Sequence, residues 1–347
     1  MEKHKVLVTG GAGYIGSHTV VELIESGFEV VIVDNLSNSS ADVIDGIEKI
    51  TGVRPLLEVF DLQDHTRVND FFSRHAPMDA VIHFAASKAV GESVEKPELY
   101  YRNNLVSLLN ILEAQDRYNV PHLVFSSSCT VYGQPDELPV TENAPVQTAT
   151  SPYGNTKQIS EEIIRDFISA HPGVNAVALR YFNPIGAHRS ALIGELPRGV
   201  PANLVPFITQ TGIGLREELK VFGGDYNTPD GSCIRDYIHV VDLAKAHLVA
   251  IQRLIDGRNK DGFEMFNVGT GNGVSVLELI SMFIKVSGVP LRYRIVDRRP
   301  GDIEQIWADP ALANRELGWR AQSTLEETIL SAWKWELQYE MEHPRRK

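Results

Sequence analysis

Tyr153 and Lys157 stand four residues apart in Ser151-Pro152-Tyr153-Gly154-Asn155-Thr156-Lys157, and of the eleven tyrosines only Tyr153 has a lysine at that interval. On a helix this spacing stacks two side chains one turn apart, so an ammonium comes to lie beside a phenol. A free tyrosine titrates near about 10 and is a poor base at neutral pH. A neighbouring cation favours phenolate, and a phenol lowered towards neutrality can take a proton from a hydroxyl. The same interval also arises where a lysine merely covers an aromatic face of an amphipathic helix. A hydroxyl partner favours the chemical reading. The apolar run His122-Leu123-Val124-Phe125 stops in Ser126-Ser127-Ser128-Cys129-Thr130, and Ser128, 25 residues before Tyr153, is placed to hydrogen-bond the hydroxyl that Tyr153 would deprotonate. Two of the three serines are expected to cap loops instead.

The elements that must position this pair begin at the N-terminus. Lys5-Val6-Leu7-Val8-Thr9 reads as a strand that breaks into Gly10-Gly11-Ala12-Gly13-Tyr14-Ile15-Gly16, followed by a helical stretch from Ser17 to Ser26. Strand, glycine turn and helix together form a phosphate cradle: glycine permits a tight turn and close approach, and the helix N-terminus offers unpaired N–H groups to an anion. The next strand, Glu29 to Val33, ends in Asp34, eighteen residues past Gly16, where an acid can hold an adenosine ribose diol. No arginine follows Asp34, which favours NAD over NADP. Further strands are expected over Arg54–Leu62 and Asp79–Ala86, and in a doubly wound sheet their carboxyl ends face the ligand. Asp61 and Leu62 then fall near the adenine, and Phe84, Ala85 and Lys88 near the phosphates and the nicotinamide end. Lys88 could equally be a solvated loop lysine. His83, inside an apolar run, reads as a hydrogen-bonded core histidine.

Two long helices are expected, from Glu98 to Tyr118, with Leu105, Leu108, Leu109 and Leu112 on one side, and from Tyr153 to about Ala170. They either pack on their own sheet or also pair across a two-fold axis in a homodimer. A chain of 347 residues suits a large α/β unit plus a smaller one. No apolar stretch is long enough for a membrane span, and Met1-Glu2-Lys3-His4-Lys5 does not open a signal peptide. A cytoplasmic protein is expected. A net charge of −12 argues against a nucleic-acid surface. Cys129 and Cys233 have no metal-ligand spacing and read as reduced thiols, so no metal is expected.

Taken together, Gly10 to His18, Asp34-Asn35-Leu36, His83-Phe84-Ala85-Ala86, Lys88 to Ser93, Ser126 to Gly133, Ser151 to Lys157, Leu179-Arg180-Tyr181-Phe182-Asn183-Pro184 and Asp236 to Val240 resemble the UDP-glucose 4-epimerases, a family of extended short-chain dehydrogenases/reductases. The likeness runs over nearly the whole chain in the family's order. It implies tightly held NAD that takes a hydride from C4 of a UDP-sugar, giving a 4-ketose that turns over and receives the hydride on its other face. By position, Tyr153 is then the base, Ser128 or Thr130 its hydroxyl partner, and Lys157 both the cation that lowers the phenol and a ligand of the nicotinamide ribose. Gly10, Gly13, Tyr14, Ile15, Gly16, Asp34, Asn35, Asp61, Leu62, Phe84, Ala85, Lys88, Asn103 and Tyr181 would complete the cofactor site.

After Pro184 the strand–helix alternation gives way to long loops rich in Gly and Pro, the character of a substrate cap. The resemblance implies that Asn183, Asn203 and Leu204 contact the diphosphate or nucleoside, Phe222 the uracil, Arg235 and Arg299 the diphosphate, and Asp302 the ribose. A guanidinium suits a diphosphate, whereas Arg298 better fits a surface ion pair. Ile306 occupies a place held by a large aromatic in some relatives, where it limits room around the sugar's C2 group. Some activity on UDP-N-acetylhexosamines is therefore expected. The anticipated architecture is a doubly wound parallel Rossmann sheet over residues 1–183, rejoined by a segment at about 236–268, with a smaller, partly interleaved α/β unit over 184–347 that binds the nucleotide sugar. Two rivals share the fold. A nucleotide-sugar 4,6-dehydratase would commonly carry Asp-Glu where Cys129-Thr130 stand. A non-catalytic NAD-dependent sensor would be expected to carry phenylalanine at 153.

Overall fold

A computed structural model describes residues 3–299 and 301–344. Met1 and Glu2 of the N-terminal reading, Pro300 of the Arg299–Asp302 motif, and 345–347 at the end of the second segment lie outside the described residues.

The first half alternates strand and helix. Its elements are β1 (Lys5–Thr9), α1 (Tyr14–Glu25), β2 (Glu29–Asp34), α2 (Val43–Thr51), β3 (Leu56–Val59), α3 (His65–His75), β4 (Ala80–His83), α4 (Val90–Glu95), α5 (Pro97–Arg117), β5 (His122–Ser128), a 3₁₀ turn at Cys129–Tyr132, α6 (Pro152–Ala170) and β6 (Asn175–Tyr181). The second half contains β7 (Asn183–Ile185), α7 (Leu204–Gly212), β8 (Leu219–Phe222), β9 (Ile234–Arg235), β10 (Tyr237–His239), α8 (Val240–Ile255) and β11 (Phe263–Val268). It continues with β12 (Val274–Ser275), α9 (Val276–Ser287), β13 (Tyr293–Val296), β14 (Gln305–Ile306), α10 (Ala311–Glu316) and α11 (Leu325–Glu342).

Among the described residues β1–β6 and β11 form a seven-stranded sheet, ordered β11-β6-β5-β4-β1-β2-β3 and parallel throughout. Alternate side chains serve opposite layers. Val6, Val8, Ile32, Ile82, Val124 and Val177 pack with Val20, Leu23, Leu243 and Leu254 of α1 and α8. Leu7, Val33, Val81, Leu123 and Ala176 pack with Phe71, Leu108, Ile111 and Ile164 of α3, α5 and α6. Burial on both faces explains why these strands read as continuous apolar runs. The order reverses between β1 and β4, so a crevice opens there at the carboxyl ends. A separate core, with Val205, Leu219, Leu279, Phe283, Ile329 and Trp333, lies within the second half.

Two strand boundaries shift, and one helix face divides. The third strand covers only Leu56–Val59 of the expected stretch, and Asp61 already turns the chain by accepting from Gln63 N at 2.8 Å. The fourth ends at His83, after which Phe84 N bonds Thr9 O at 3.0 Å and ties the loop to β1. The four leucines of α5 divide: Leu108 and Leu112 are buried, whereas Leu109 is 49% exposed.

Candidate active site

The glycine turn is built by close contact. Gly10 has φ +68, and a Cβ there would meet Ala85 N at 2.8 Å; a Cβ on Gly16 would meet Gly10 O at 2.3 Å. The first contact holds the turn against the end of β4, and the second lets α1 sit directly on β1. Gly13 is the N-cap of α1 and supplies no side-chain cap, so the N–H groups of the first turn, which includes Tyr14 and Ile15, face the crevice mouth unclaimed by a cap. The side chains of those two residues turn elsewhere. The Tyr14 phenol donates to Gly186 O at 2.6 Å, and Ile15 packs on the core. Asp34, 8% exposed at the end of β2, accepts from Ala12 N at 3.1 Å, Leu36 N at 2.9 Å and Ser39 Oγ at 2.9 Å. Its carboxylate is thereby fixed beside the turn. Asn35 donates to Asp61 at 3.2 Å, and Asn110 anchors the Leu62 carbonyl at 2.7 Å, so these positions form one rim. An uncapped helix start, glycines that admit no Cβ and a fixed strand-end carboxylate fit a dinucleotide.

Phe84 packs 4.6 Å from the His247 ring, and Ala85 N reaches Thr9 Oγ1 at 3.4 Å. His83 is the expected core histidine, its Nδ1 2.9 Å from Thr9 Oγ1 and its pKa lowered by burial to about 3. Asn103 donates to Ser87 Oγ at 3.0 Å. Its neighbour Asn104, overlooked in the sequence, donates to Thr156 Oγ1 at 3.0 Å and accepts from Ser87 N at 2.8 Å. It ties the loop after β4 to the helix that carries Tyr153, a link with no local sequence signal.

The α6 helix starts at Ser151, whose hydroxyl accepts from Gly154 N at 3.1 Å, with Pro152 in the first turn. This cap sets the direction in which Tyr153 leaves the helix. Tyr153 remains partly accessible, whereas Lys157 is 4% exposed. The lysine Nζ donates to Ser126 O at 2.6 Å and lies 4.8 Å from the Phe125 ring centre and 5.9 Å from that of Tyr153. Ser128 Oγ accepts from Thr130 N at 3.2 Å, and its hydroxyl stands near enough to the Tyr153 phenol to favour the phenol's ionised form. The three serines differ in role: Ser126 bonds the Tyr181 hydroxyl, Ser127 donates to Glu161 at 2.6 Å, and Ser128 alone combines a cap with the tyrosine contact. The expectation that two serines cap loops is corrected because those two are absorbed by side chains of β6 and α6. Thr130 Oγ1 is buried with no partner among the described residues, a hydroxyl still able to bond a ligand.

The electrostatics reverse one expectation. Burial, followed by the nearby Tyr181, pushes the Tyr153 phenol well above its usual value, and only the Ser128 contact draws it down. Burial likewise lowers Lys157 to about 8, opposed by Glu161. Desolvation is the largest cause of the shift in both members of the pair, and the lysine is not among the groups that draw the phenol down.

In the second half, Asn183 joins β7 to β10, its N–H on Asp236 O at 3.0 Å. Asn203, the N-cap of α7, donates to Glu195 Oε1, which also receives Lys88 Nζ at 3.5 Å; Leu204 begins the helix. Glu195 was not foreseen, and it joins a residue expected at the cofactor to one expected at the substrate. Arg235 is held by carbonyls, Ile234 O at 2.8 Å and Ile303 O at 2.7 Å. Arg299 pairs with Asp302 at 2.7 Å and lies 5.5 Å from the centre of the Phe222 ring, which is 39% exposed. Arg298 instead pairs with Asp225 at 2.7 Å on the surface. Ile306 pairs in register with Arg235 and is buried beside Cys129, Val131, Tyr132 and Phe182.

The family model described as GDP-mannose 4,6 dehydratase matches residues 7–331. The UDP-glucose 4-epimerase of Yersinia enterocolitica is 52% identical over 331 residues, 95% of this chain and 97% of that protein. The chain belongs to the UDP-glucose 4-epimerase family. The family's enzyme from Bacillus subtilis (strain 168) is 51% identical, again over 95% of this chain and 96% of its own. Among solved epimerases, that of Stenotrophomonas maltophila, with bound NAD and formylated UDP-arabinopyranose, superposes with a TM-score of 0.94 at 48% identity, covering 98% of this chain and 99% of that one. The Bifidobacterium longum epimerase, in complex with NAD+ and UDP, gives 0.92 at 47% identity, with the same coverage.

Proposed function

We propose that this chain interconverts UDP-galactose and UDP-glucose. The observation that carries the reading is the convergence of Tyr153, Ser128 and Lys157 at the carboxyl edge of a sheet whose switch point holds a glycine turn. NAD bound across that turn would supply uptake of a hydride from C4 and its return to the opposite face of the 4-ketose.

Tyr153 holds the proton of the sugar's 4-hydroxyl and gives it back, with Ser128 orienting both oxygens and Thr130 offering a second hydroxyl. Lys157 fixes the nicotinamide ribose and supplies positive charge beneath the phenol. The Gly10–Gly16 turn and Asp34 hold the rest of the cofactor, aided by Asn35, Asp61, Leu62, Phe84, Ala85, Lys88, Asn103 and Tyr181. Asn183, Asn203, Leu204, Phe222, Arg235, Arg299 and Asp302 hold the UDP group. Since the hexose must present either face, binding energy is best drawn from this remote group. Residues 1–183 with about 236–268 would form the cofactor unit, and 184–347 the substrate unit. The pairing of β11 with β6 supports that division.

The dehydratase reading lacks its acids. Cys129 is buried, and burial raises its thiol to about 12, so it cannot serve as an acid or base at neutral pH. Incubation with UDP-galactose and no added NAD, followed by NMR, separates the readings. UDP-glucose supports the epimerase; a 4-keto-6-deoxy sugar would establish the dehydratase, and unchanged substrate the sensor. Ile306 beside Phe182 and Cys129 supports additional turnover of UDP-N-acetylglucosamine, and saturating kinetics without product would refute it.

Leu99 and Leu109 on α5 are 45% and 49% exposed, which supports a homodimer through this helix. Light scattering should report twice 38.6 kDa. No described helix is long and apolar enough to cross a membrane. The two buried free cysteines accord with a reducing cytoplasm, which cell fractionation tests.

A further inference from the structure

Asp236 stands between β9 and β10, next to Arg235, and is 0% exposed. Its Oδ1 accepts from Thr270 N at 2.9 Å and Thr270 Oγ1 at 2.7 Å, and its Oδ2 accepts from Gly271 N at 3.1 Å and Ala308 N at 3.2 Å. Its carbonyl oxygen receives Asn183 N, so β7 is tied to the same residue. A Cβ on Gly269 would meet Asp236 Oδ2 at 2.5 Å and Ala308 Cβ at 2.7 Å, so glycine there lets the loop after β11 close on the carboxylate.

Each of these side-chain partners is a neutral donor, and burying a carboxylate is costly even where such hydrogen bonds offset it. Its placement suggests a use beyond holding the fold. Arg235 and Asp236 grip β14 from its two ends. The Arg235 guanidinium donates to Ile303 O at 2.7 Å, before the strand, and the Asp236 carboxylate takes the N–H of Ala308, after it. Ile306 pairs in register with Arg235 between these two points. Through Thr270 and Gly271 the same carboxylate reaches the loop that leaves β11, which pairs with β6 in the central sheet. The strand that carries Arg235 is thereby fixed relative to that sheet.

We propose that Asp236 is a positioning residue for the epimerase reaction: by holding β14 and the loop after β11 against β9, it presents Arg235 to the diphosphate of the UDP-sugar. The proposal rests on the epimerase reading given above. Asp236→Asn keeps the side chain's size, but its amide must turn a donor on the N–H of Thr270 or on those of Gly271 and Ala308. Losing hydrogen bonds to a charged group should raise KM for UDP-galactose by about tenfold or more, while kcat and the NAD bound to the purified protein stay near wild type. Thr270→Val, which removes only the hydroxyl donor, should raise KM by about threefold and serves if D236N is too unstable to purify. Because Asp236 acts through Arg235, the double variant R235A/D236N should have the KM of R235A alone. A folded D236N with wild-type KM, or T270V with wild-type KM where D236N cannot be purified, overturns the proposal while the epimerase reading stands. So does a double variant whose KM multiplies the two single effects, or a D236N that loses kcat and bound NAD along with affinity, which would mark a role in the fold alone. A wild-type protein that leaves UDP-galactose unchanged removes both together.

Discussion

In the proposed reaction Tyr153 would have to ionise where burial opposes it. Burial raises the phenol and lowers Lys157 to about 8, so the proposed pair would need added positive charge near the ring, which an oxidised nicotinamide would bring. Tyr153→Phe should leave bound NAD unchanged, as read from the absorbance of the purified protein, yet lower kcat by about a thousandfold or more. Lys157→Ala should reduce both. The pH profile has a definite sign. A lysine whose pKa is lowered to about 8 is cationic below that value and neutral above it, so kcat should decline as pH rises through about 8. A wild-type profile that stays flat to pH 10 would mean that the charge on Lys157 is not needed. Arg299 and Asp302 show another residue-scale conflict, since two residues expected to bind UDP neutralise each other at 2.7 Å. UDP binding through both would require this pair to part or to share the ligand.

At the scale of elements, α6 is aimed by its first turn. Ser151 caps the helix, Pro152 fixes the backbone entering it, and Tyr153 follows at once. Ser151→Ala should lower stability by about 1 kcal/mol in urea unfolding, with a further loss of kcat because the freed turn no longer holds the phenol against Ser128. If kcat is unchanged while stability falls, the cap serves the helix alone. The Tyr–Lys interval, the glycine turn with its following helix and the strand-end Asp34 were all legible in the sequence, because each is fixed within a few residues by backbone rules. The ends of β3 and β4 were not. They depend on bonds from Gln63 to Asp61 and from Phe84 to Thr9, which form only when the chain has folded back.

Across the whole molecule, the chain leaves the central sheet after β6 and returns to it as β11, with the second half's first elements inserted between. Without β11, the ladder edge of β6 would stand unpaired along its length. A fragment of residues 1–183 should therefore be recovered aggregated or without a cooperative thermal transition, while the full chain unfolds cooperatively by circular dichroism. A soluble, cooperatively folding fragment would show that β6 tolerates an open edge.

The sequence by itself determined the sheet type, the phosphate-binding turn, the acid at Asp34 and the identity of the tyrosine–lysine pair, since these follow from spacing and from backbone conformations that only certain residues adopt. The tertiary structure alone decided which serine draws the Tyr153 phenol down, which carbonyl holds Lys157 and which way the phenol's ionisation is pushed. Those outcomes depend on burial and on partners as distant in sequence as Ser126, Ser128 and Tyr181. Desolvation is a property of the assembled interior, and no run of neighbouring residues encodes it.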